Sequence, residues 1–274
     1  MKNQDTLKTD WKYLIILDAC RYDYFKKQYK HFLKGKLEPR KTPASYTQKW
    51  LQKTFTQHYP DIIYISPIFF CNSIKSLHKN GFNGKNHFYQ VIDAWKQGWD
   101  NQYGTVPPWY IYRKAIQTTI KHPNKKIVIH FLQPHAPYLT IKPKIKTTRQ
   151  TPNNKKTTQI KKTLIKKTSS IYHQLLGTET LWKTIKLLGL PPRTNMEETW
   201  RMIGTQGIKQ AYQKNLQLVL FFTQKLNQHL PPGKIIITAD HGELLGEKKY
   251  WGHGDPKPHL PELMTVPWME VKRT

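Results

Sequence analysis

Short apolar runs that end in polar residues constrain the fold of this chain more than any other feature. Four such runs lie at residues 13–17, 61–67, 127–132 and 235–238. Each is shorter than a typical helix and rich in aliphatic and β-branched residues, as a strand covered on both faces requires. Segments with a helical spacing of apolar residues separate the runs. This alternation predicts an α/β fold, a three-layer α/β/α sandwich with a mostly parallel central sheet.

The helices are predicted from apolar residues that recur at helical intervals. One follows the first strand, one follows a proline-containing loop that begins near residue 35, and one lies near residues 88–95. Longer helices are expected at 109–120 and 208–230. The positions that mark the shorter helices are Phe25, Tyr29, Phe32 and Leu33 in the first, Trp50, Leu51, Thr54 and Phe55 in the second, and Phe88, Val91, Ile92 and Trp95 in the third.

A chain of 274 residues can bury one full core, and we expect a single domain over 1–274. One segment, at about 141–168, departs from the α/β pattern because it carries ten Lys or Arg and no acid. Its threonine, asparagine and proline content opposes a long helix, and its charges repel one another. We expect a lysine-rich insertion or flexible arm there, either a solvated loop or an arm that binds anions.

The charge balance indicates an anionic partner. The chain has 45 Lys and Arg against 17 Asp and Glu, a formal net charge of +28. A field of this sign attracts phosphate, sulfate, nucleic acid or an anionic membrane surface, and charge alone does not choose among them. The expected partner is an anionic small-molecule, glycan or lipid ester. Nonspecific contact of the lysine-rich surface with membranes or nucleic acid stays open, as does the oligomeric state.

Cysteine content and hydropathy indicate the compartment. The chain has two cysteines, Cys20 and Cys71, too few for a disulfide framework. The first residues lack an apolar signal core, and no run approaches the roughly 18 apolar residues of a spanning helix. These features lead to the expectation of a cytoplasmic protein, with a peripheral membrane association left open.

Polar residues at the ends of the predicted strands outline a site. Asp18 closes the first strand, Asp240 and His241 follow the last, and His135, with His130 nearby, follows another. The carboxyl ends of parallel strands meet at one edge, where ligands bind in open α/β sheets. Carboxylate and imidazole together favour Zn²⁺ or Mn²⁺ over Mg²⁺ or Ca²⁺. A hydroxyl near such an ion, Thr47 or Ser45 at the start of the second helix, could act as nucleophile.

Several motifs resemble a known family. The stretches LIILDACRYD, TPASYTQKWL, HFLQPHAPY, TADHGELLGE and WGHG are similar to the alkaline phosphatase superfamily, in its sulfatase-like branch of the archaeal type. DAWKQGWDNQYGTVPP and LPELMTVPWMEV are also similar to that branch, so the resemblance extends from residue 11 to 270 except for the lysine-rich segment. The resemblance implies an alkaline phosphatase-like fold.

The resemblance also implies roles for individual residues. Asp18 matches the first metal aspartate, Asp240 and His241 match the paired metal ligands, and His253 matches a position that binds metal or substrate. His135 matches a histidine on the substrate side. Thr47 is the first choice of nucleophile, with Ser45 behind it. Arg21 could neutralise a bound anion or form a structural salt bridge, and we favour the salt bridge.

Departures from the family pattern narrow the chemistry. Sulfatases that use formylglycine need a C-x-P-x-R motif, which neither cysteine provides. Since DAC replaces the paired aspartates of some sulfatases and a second complete set of three metal ligands is not evident, we expect one divalent ion rather than two. The main hypothesis is a metal-dependent hydrolase or transferase of phosphate esters that forms a covalent Thr or Ser intermediate. The alternatives are a phosphoglycerol- or phosphoethanolamine-type transferase on a glycan or lipid, and a non-catalytic protein that binds nucleic acid or other anions.

Overall fold

The structure, a computed structural model, describes residues 1–74, 82–141, 177–254 and 260–272. Apart from residue 141, the predicted lysine-rich arm lies outside them. The strands of the described residues are β1 (Lys2–Asn3), β2 (Tyr13–Leu17), β3 (Gly35–Lys41), β4 (Tyr59–Ser66), β5 (Phe88–Asp93), β6 (Lys126–Phe131), β7 (Ile235–Thr238), β8 (Leu244–Leu245), β9 (Trp251–Gly252) and β10 (Thr265–Val271).

The helices lie between these strands. They are α1 (Tyr22–Gln28), α2 (Thr47–Thr54), α3 (Gly84–His87), α4 (Ala94–Gln97), α5 (Pro108–Lys121), α6 (Thr178–Leu187), α7 (Asn195–His229) and α8 (Pro261–Met264). Helix α7 is interrupted at Gly204, whose φ of 65° is the left-handed conformation that glycine adopts without steric cost. The helix predicted at 109–120 lies within α5. The helix predicted at 208–230 lies within α7 except for residue 230, and the predicted second helix is α2.

The central sheet is mostly parallel, as predicted. In the described residues its order is β1-β3-β10-β7-β2-β6-β4-β5. Strand β10 runs antiparallel to both of its neighbours, whereas every other neighbouring pair is parallel. Because β3 and β7 both oppose β10, they run in the same direction. The carboxyl ends of β7, β2 and β6, three neighbouring strands, therefore lie side by side at one edge.

Helices cover the sheet on both faces and produce two cores. Alternate residues of β2 show the division: Ile15 and Leu17 face one core, while Leu14 and Ile16 face the other. The first core is closed by α1, α5 and α7, and the second by α2 with Trp50 and Leu51. This arrangement is the three-layer sandwich predicted from the sequence. Cys20 lies in the first core and Cys71 in the second, and both thiols are free.

A third cluster lies beside the β8–β9 ribbon. Trp251 of the ribbon stacks on Trp182 of α6, with ring centroids 5.7 Å apart. Ile208 and Tyr212 of α7 belong to the same cluster. Through these contacts α6 and the first half of α7 pack against the loop that carries His253.

The helix predicted near residues 88–95 is wrong. Phe88–Asp93 form strand β5, which pairs with β4 at the sheet edge, and α4 begins at Ala94. The spacing of Phe88, Val91 and Ile92 fits a helix, but these aromatic and β-branched residues also have a high strand propensity. Pairing with a neighbouring strand decides between the two structures, and the periodicity of one segment does not show that pairing.

Strands β3 and β10 were not predicted from the sequence, and β3 places part of the predicted proline-containing loop in the sheet. Each strand contains a proline, which ordinarily counts against a strand. Pro39 and Pro267 lie directly opposite each other in the antiparallel pairing, so neither is needed as a donor to the other. The two strands tolerate their prolines together.

Among the described residues, the helices are either too short or too polar to cross a bilayer.

Candidate active site

The ends of three neighbouring strands bring the predicted metal ligands together. Asp18 directly follows β2, and Asp240 lies in the loop that follows β7. The backbone N–H of Asp18 donates to the carbonyl of Phe131, the last residue of β6, at 3.0 Å. Because Ile16 is in register with both His130 of β6 and Thr238 of β7, the three strands end at the same level.

The acidic side chains and two imidazoles form one buried cluster. His241 Nε2 lies 3.3 Å from Asp240 Oδ2 and 3.6 Å from Asp18 Oδ1. His130 Nε2 lies 3.9 Å from Asp18 Oδ2. One ligand atom each from Asp18, His130 and Asp240 lie within 4.8 Å of one another. All four residues are buried, Asp18 being the most accessible at 4% exposure.

Backbone hydrogen bonds fix the direction of the cluster's ligand atoms. Asp240 Oδ1 accepts from the N–H groups of Ala19 and His241, at 3.1 and 3.0 Å. These contacts leave Asp240 Oδ2 directed at His241 and Asp18. His241 Nδ1 lies 2.8 Å from the carbonyl of Gly242. Since a carbonyl only accepts, Nδ1 carries the proton and Nε2 presents its lone pair to the carboxylates, the tautomer that a metal-binding histidine needs.

The Gly242 position has no room for a side chain. A Cβ there would lie 1.8 Å from the carbonyl oxygen of Glu262. The N–H of Gly242 also donates to the carbonyl of Leu263 at 2.8 Å. Helix α8 thus holds the loop that presents Asp240 and His241.

Burial and like charge control the protonation of the two aspartates. Burial, together with the charges of Asp240 and Glu243, holds the pKa of Asp18 well above its ordinary value. Burial opposes ionisation of Asp240 too, but its histidine neighbours and the nearby Thr47 hydroxyl bring its pKa below the ordinary value. Asp18 therefore holds the proton of the pair until another cation replaces it.

The histidines of the cluster are neutral. Burial is the largest cause, and it lowers the pKa of His130 to about 4 and also lowers that of His241. A neutral imidazole is the form that coordinates a metal ion.

Of the two predicted nucleophiles, Thr47 is the one in contact with the cluster. It is the first residue of α2 and is buried, and its Oγ1 lies 3.2 Å from His241 Nε2. Ser45 is also buried, but its carbonyl accepts from the N–H of Gly254 at 3.1 Å, and it borders a separate surface groove that Thr42 and Lys49 also line.

A second group of ligand atoms lies next to the first. His253 Nδ1 is 3.0 Å from Glu243 Oε1, and His135 Nε2 is 4.0 Å from Glu243 Oε2. The His241 and His253 rings are 4.3 Å apart between centroids, which joins the two groups. This second group was not predicted from the sequence, because Glu243 was not among the candidate ligands. An acid so close to the Asp240–His241 pair was the available signal.

His130 and Arg21 are both held by contacts of their buried side chains. His130 lies within β6, and its Nδ1 is 2.7 Å from the hydroxyl of the buried Tyr64, which positions the ring. The guanidinium of Arg21 pairs with Asp23 at 2.8 Å and with Glu247 at 2.6 Å. Arg21 thus connects α1 to the ribbon that follows the site, the structural role favoured from the sequence.

Comparison with known proteins supports the fold rather than a particular enzyme. Protein-family models and curated proteins give no match to this sequence. Among solved structures, the C-terminal periplasmic domain of EptC from Escherichia coli, in complex with Zn, is similar with a TM-score of 0.53 and 14% identity, over 99% of this chain and 75% of that one. The chain has the alkaline phosphatase-like fold.

A second solved structure agrees. A putative sulfatase from Bacteroides thetaiotaomicron is similar with a TM-score of 0.50 and 10% identity, over 96% of this chain and 65% of that one. At identities this low the likeness concerns the fold. It confirms the three-layer architecture predicted from the sequence resemblance.

The residues of the first cluster fit a divalent cation. Asp18 Oδ1, Asp240 Oδ2 and His130 Nε2 are buried and have no hydrogen-bond partner among the described residues. Buried polar atoms are rarely left unpaired, since each costs about 1–3 kcal/mol. A cation bound by these atoms and His241 Nε2 would satisfy them, and a mixture of carboxylate and imidazole suits Zn²⁺ or Mn²⁺.

Proposed function

We propose that the protein is a metal-dependent hydrolase or transferase of anionic esters, phosphate esters in the first place, that works through a covalent intermediate on Thr47. The observation that carries the proposal is the contact of the Thr47 hydroxyl with His241 Nε2, at 3.2 Å, beside two buried carboxylates. The fold, shared with a zinc-bound EptC domain and a putative sulfatase, supports the same chemistry.

The proposed metal ligands are Asp18, Asp240 and His241, with His130 as a further donor. A divalent ion bound there would lower the pKa of the nucleophilic hydroxyl and stabilise negative charge on the ester oxygens. The chain itself contributes the position of the nucleophile. Helix α2 places Thr47 Oγ1 at the cluster, and the contact with His241 Nε2 at 3.2 Å orients that hydroxyl.

The second group lies where the other side of an ester would bind. Burial lowers the pKa of His135 to about 4, so this ring is neutral near pH 7. A neutral His135 can hydrogen-bond to a substrate oxygen or bind a second ion. Glu243 holds His253 through Nδ1 at 3.0 Å, which fixes the His253 ring beside His241.

The acceptor of the transferred group separates the two forms of the proposal. Water gives a hydrolase, whereas a sugar or lipid hydroxyl gives a transferase of the phosphoglycerol or phosphoethanolamine type. The likeness to the E. coli EptC domain favours keeping the transferase as the second candidate.

The test uses protein loaded with Zn²⁺ or Mn²⁺ and aryl phosphate monoesters, diesters and aryl sulfates as substrates. Asp240→Asn and Thr47→Ala should each lower turnover by roughly 10³-fold or more, the usual cost of removing a nucleophile or its activating group. Ser45→Ala, the matched control, should retain turnover within a few-fold. Mass spectrometry of quenched reactions should find the phosphoryl group on Thr47. Turnover that survives Asp240→Asn, or a label on Ser45, would overturn the assignment.

A further inference from the structure

The carboxyl end of α6 exposes a group of aliphatic side chains. Leu187 is 87% exposed, Leu188 66% and Leu190 46%. Met202 and Ile203, near the interruption of α7, are also exposed, at 37% and 36%. We call these five residues the leucine patch. Single exposed leucines are ordinary on protein surfaces, but a group of them marks an interaction site.

The leucine patch rests on ordered backbone rather than on a frayed helix end. The N–H of Gly189 donates to Lys186 O, and the N–H of Leu190 donates to Ile185 O, both at 3.1 Å. Gly189 has a φ of 66°, the left-handed conformation usual after the last turn of a helix. Arg201 Nη1 donates to Leu190 O at 2.7 Å, which ties the part of α7 that carries Met202 and Ile203 to the loop after α6.

Basic side chains accompany the leucine patch. The exposed cations on α6 and the loop after it are Lys183, Lys186 and Arg193. Lys248 and Lys249 are also exposed, but Lys249 lies beside Gly177 at the amino end of α6. Acids on these elements are partly neutralised, since Glu179 pairs with Lys183 at 3.0 Å and Glu197 pairs with Arg201. With a net charge of +28 on the whole chain, the surface is complementary to a negatively charged partner.

We propose that the leucine patch docks the protein on the surface of an anionic phospholipid bilayer, with the three leucines among the headgroups and the basic rim on the lipid phosphates. Protruding aliphatic side chains with a basic rim are the usual composition of interfacial membrane contacts. A protein partner is less favoured because leucine is under-represented among the residues that dominate protein–protein binding.

Docking at this patch would place the candidate active site near the bilayer. Trp182 of α6 stacks on Trp251, and His253 is two residues further along the chain. The N–H of Trp251 also donates to Thr178 Oγ1, at the start of α6, at 3.3 Å. The docking proposal stands on the patch itself and does not rest on the proposed ester chemistry.

Vesicle flotation of the full chain tests the proposal. The vesicles are phosphatidylcholine alone, and an equal mixture of phosphatidylcholine and phosphatidylglycerol. The variant is Leu187→Gln combined with Leu188→Gln. Its control is Ile120→Gln combined with Phe221→Gln, since these residues are 73% and 42% exposed on α5 and α7. Circular dichroism melts of both variants show whether each retains the fold, and aryl phosphate turnover is measured in parallel.

The wild type and the control variant should float with the anionic vesicles, and less with phosphatidylcholine alone or at high salt. The leucine variant should bind at least about tenfold more weakly, because burying even one leucine side chain in the bilayer contributes about that factor. No flotation of the wild type, equal loss in both variants, or full binding of the leucine variant would overturn the proposal. A dimer that only the leucine variant loses, without vesicle binding, would instead identify a protein interface. Turnover on soluble esters is expected to be unaffected, so a failure of docking is distinguishable from a failure of the enzymatic proposal.

Discussion

Replacing Asp18 by Asn should stabilise the metal-free protein while removing its response to metal. In the metal-free protein a buried carboxyl without a hydrogen-bond partner on Oδ1 faces a second carboxylate, Asp240. An unsatisfied buried polar group costs about 1–3 kcal/mol, and an amide at position 18 could donate to the Asp240 carboxylate. For a chain of this size each kcal/mol corresponds to roughly 2–4 °C in melting temperature. We therefore expect Asp18→Asn to melt about 2–12 °C higher than the wild type after chelation.

The stability that the Asp18 proton gives to the metal-free protein should fall as pH rises. The pKa of Asp18 is raised in the folded protein, first by burial and then by its acidic neighbours. The folded state therefore holds this proton more tightly than the unfolded chain. The contribution of this proton to the free energy of unfolding is fully present below about pH 3.9, the ordinary pKa of an aspartate. It is lost as pH rises through the pKa of Asp18 in the folded protein. The advantage of Asp18→Asn should be absent at low pH and grow toward neutrality.

Differential scanning fluorimetry with chelator, and again with added Zn²⁺ or Mn²⁺, measures both effects. Metal at a hundred times its dissociation constant should stabilise the wild type by about 2.7 kcal/mol and the variant by much less. Asp61→Asn is the control, because Asp61 forms a half-exposed ion pair with Lys126 at 3.3 Å and should change stability little. A chelated Asp18→Asn protein that melts below the wild type at pH 7 would show that the Asp18 carboxyl does not destabilise the metal-free fold.

Three further predictions concern the surroundings of the site. Tyr64→Phe removes the hydroxyl 2.7 Å from His130 Nδ1 and should weaken metal affinity by roughly 10–100-fold in calorimetric titrations; unchanged affinity would exclude His130 from the metal site. Arg21→Gln should lower stability by about 2 kcal/mol in chemical unfolding, because Glu247 and Asp23 lose the guanidinium, whereas a raised KM with unchanged stability would point to substrate binding. Gly242→Ala should destabilise the fold by about 2–4 kcal/mol, since its Cβ would meet Glu262 O at 1.8 Å, and a native melting curve would contradict the crowding of that loop.

The sandwich and the meeting of Asp18 with Asp240 and His241 could be predicted because both follow from local signals. Buried strands of a parallel sheet are continuous apolar runs, and their carboxyl ends share an edge whatever the strand order. The strand order itself is a long-range property. The placement of β10 between β3 and β7 therefore could not be foreseen, and neither could the pairing that makes 88–93 a strand.

His130 and Glu243 show why the ligand set was incomplete. His130 lies inside an apolar strand, where a histidine usually belongs to the core. Alternation along β6 places His130 with Val128 on the face opposite to Ile129 and Phe131. Its Nε2 reaches the cluster because the end of β2 is in register beside it. Glu243 follows the predicted ligands closely, but its role depends on His135 and His253, which different loops bring to it.

Tertiary structure decides between Thr47 and Ser45, because local sequence does not show where α2 begins. Tyr46, between them, has extended backbone angles, so a continued extended chain would direct both hydroxyls to the same side. The helix begins at Thr47 instead, and this start turns the Thr47 hydroxyl to His241. Ser45 is held by the hydrogen bond from the loop that carries His253. Because the loop that holds Ser45 and the loop that carries His241 are both about two hundred residues away in the chain, a label on Thr47 in the quenched reaction would test these tertiary contacts as well as the chemistry.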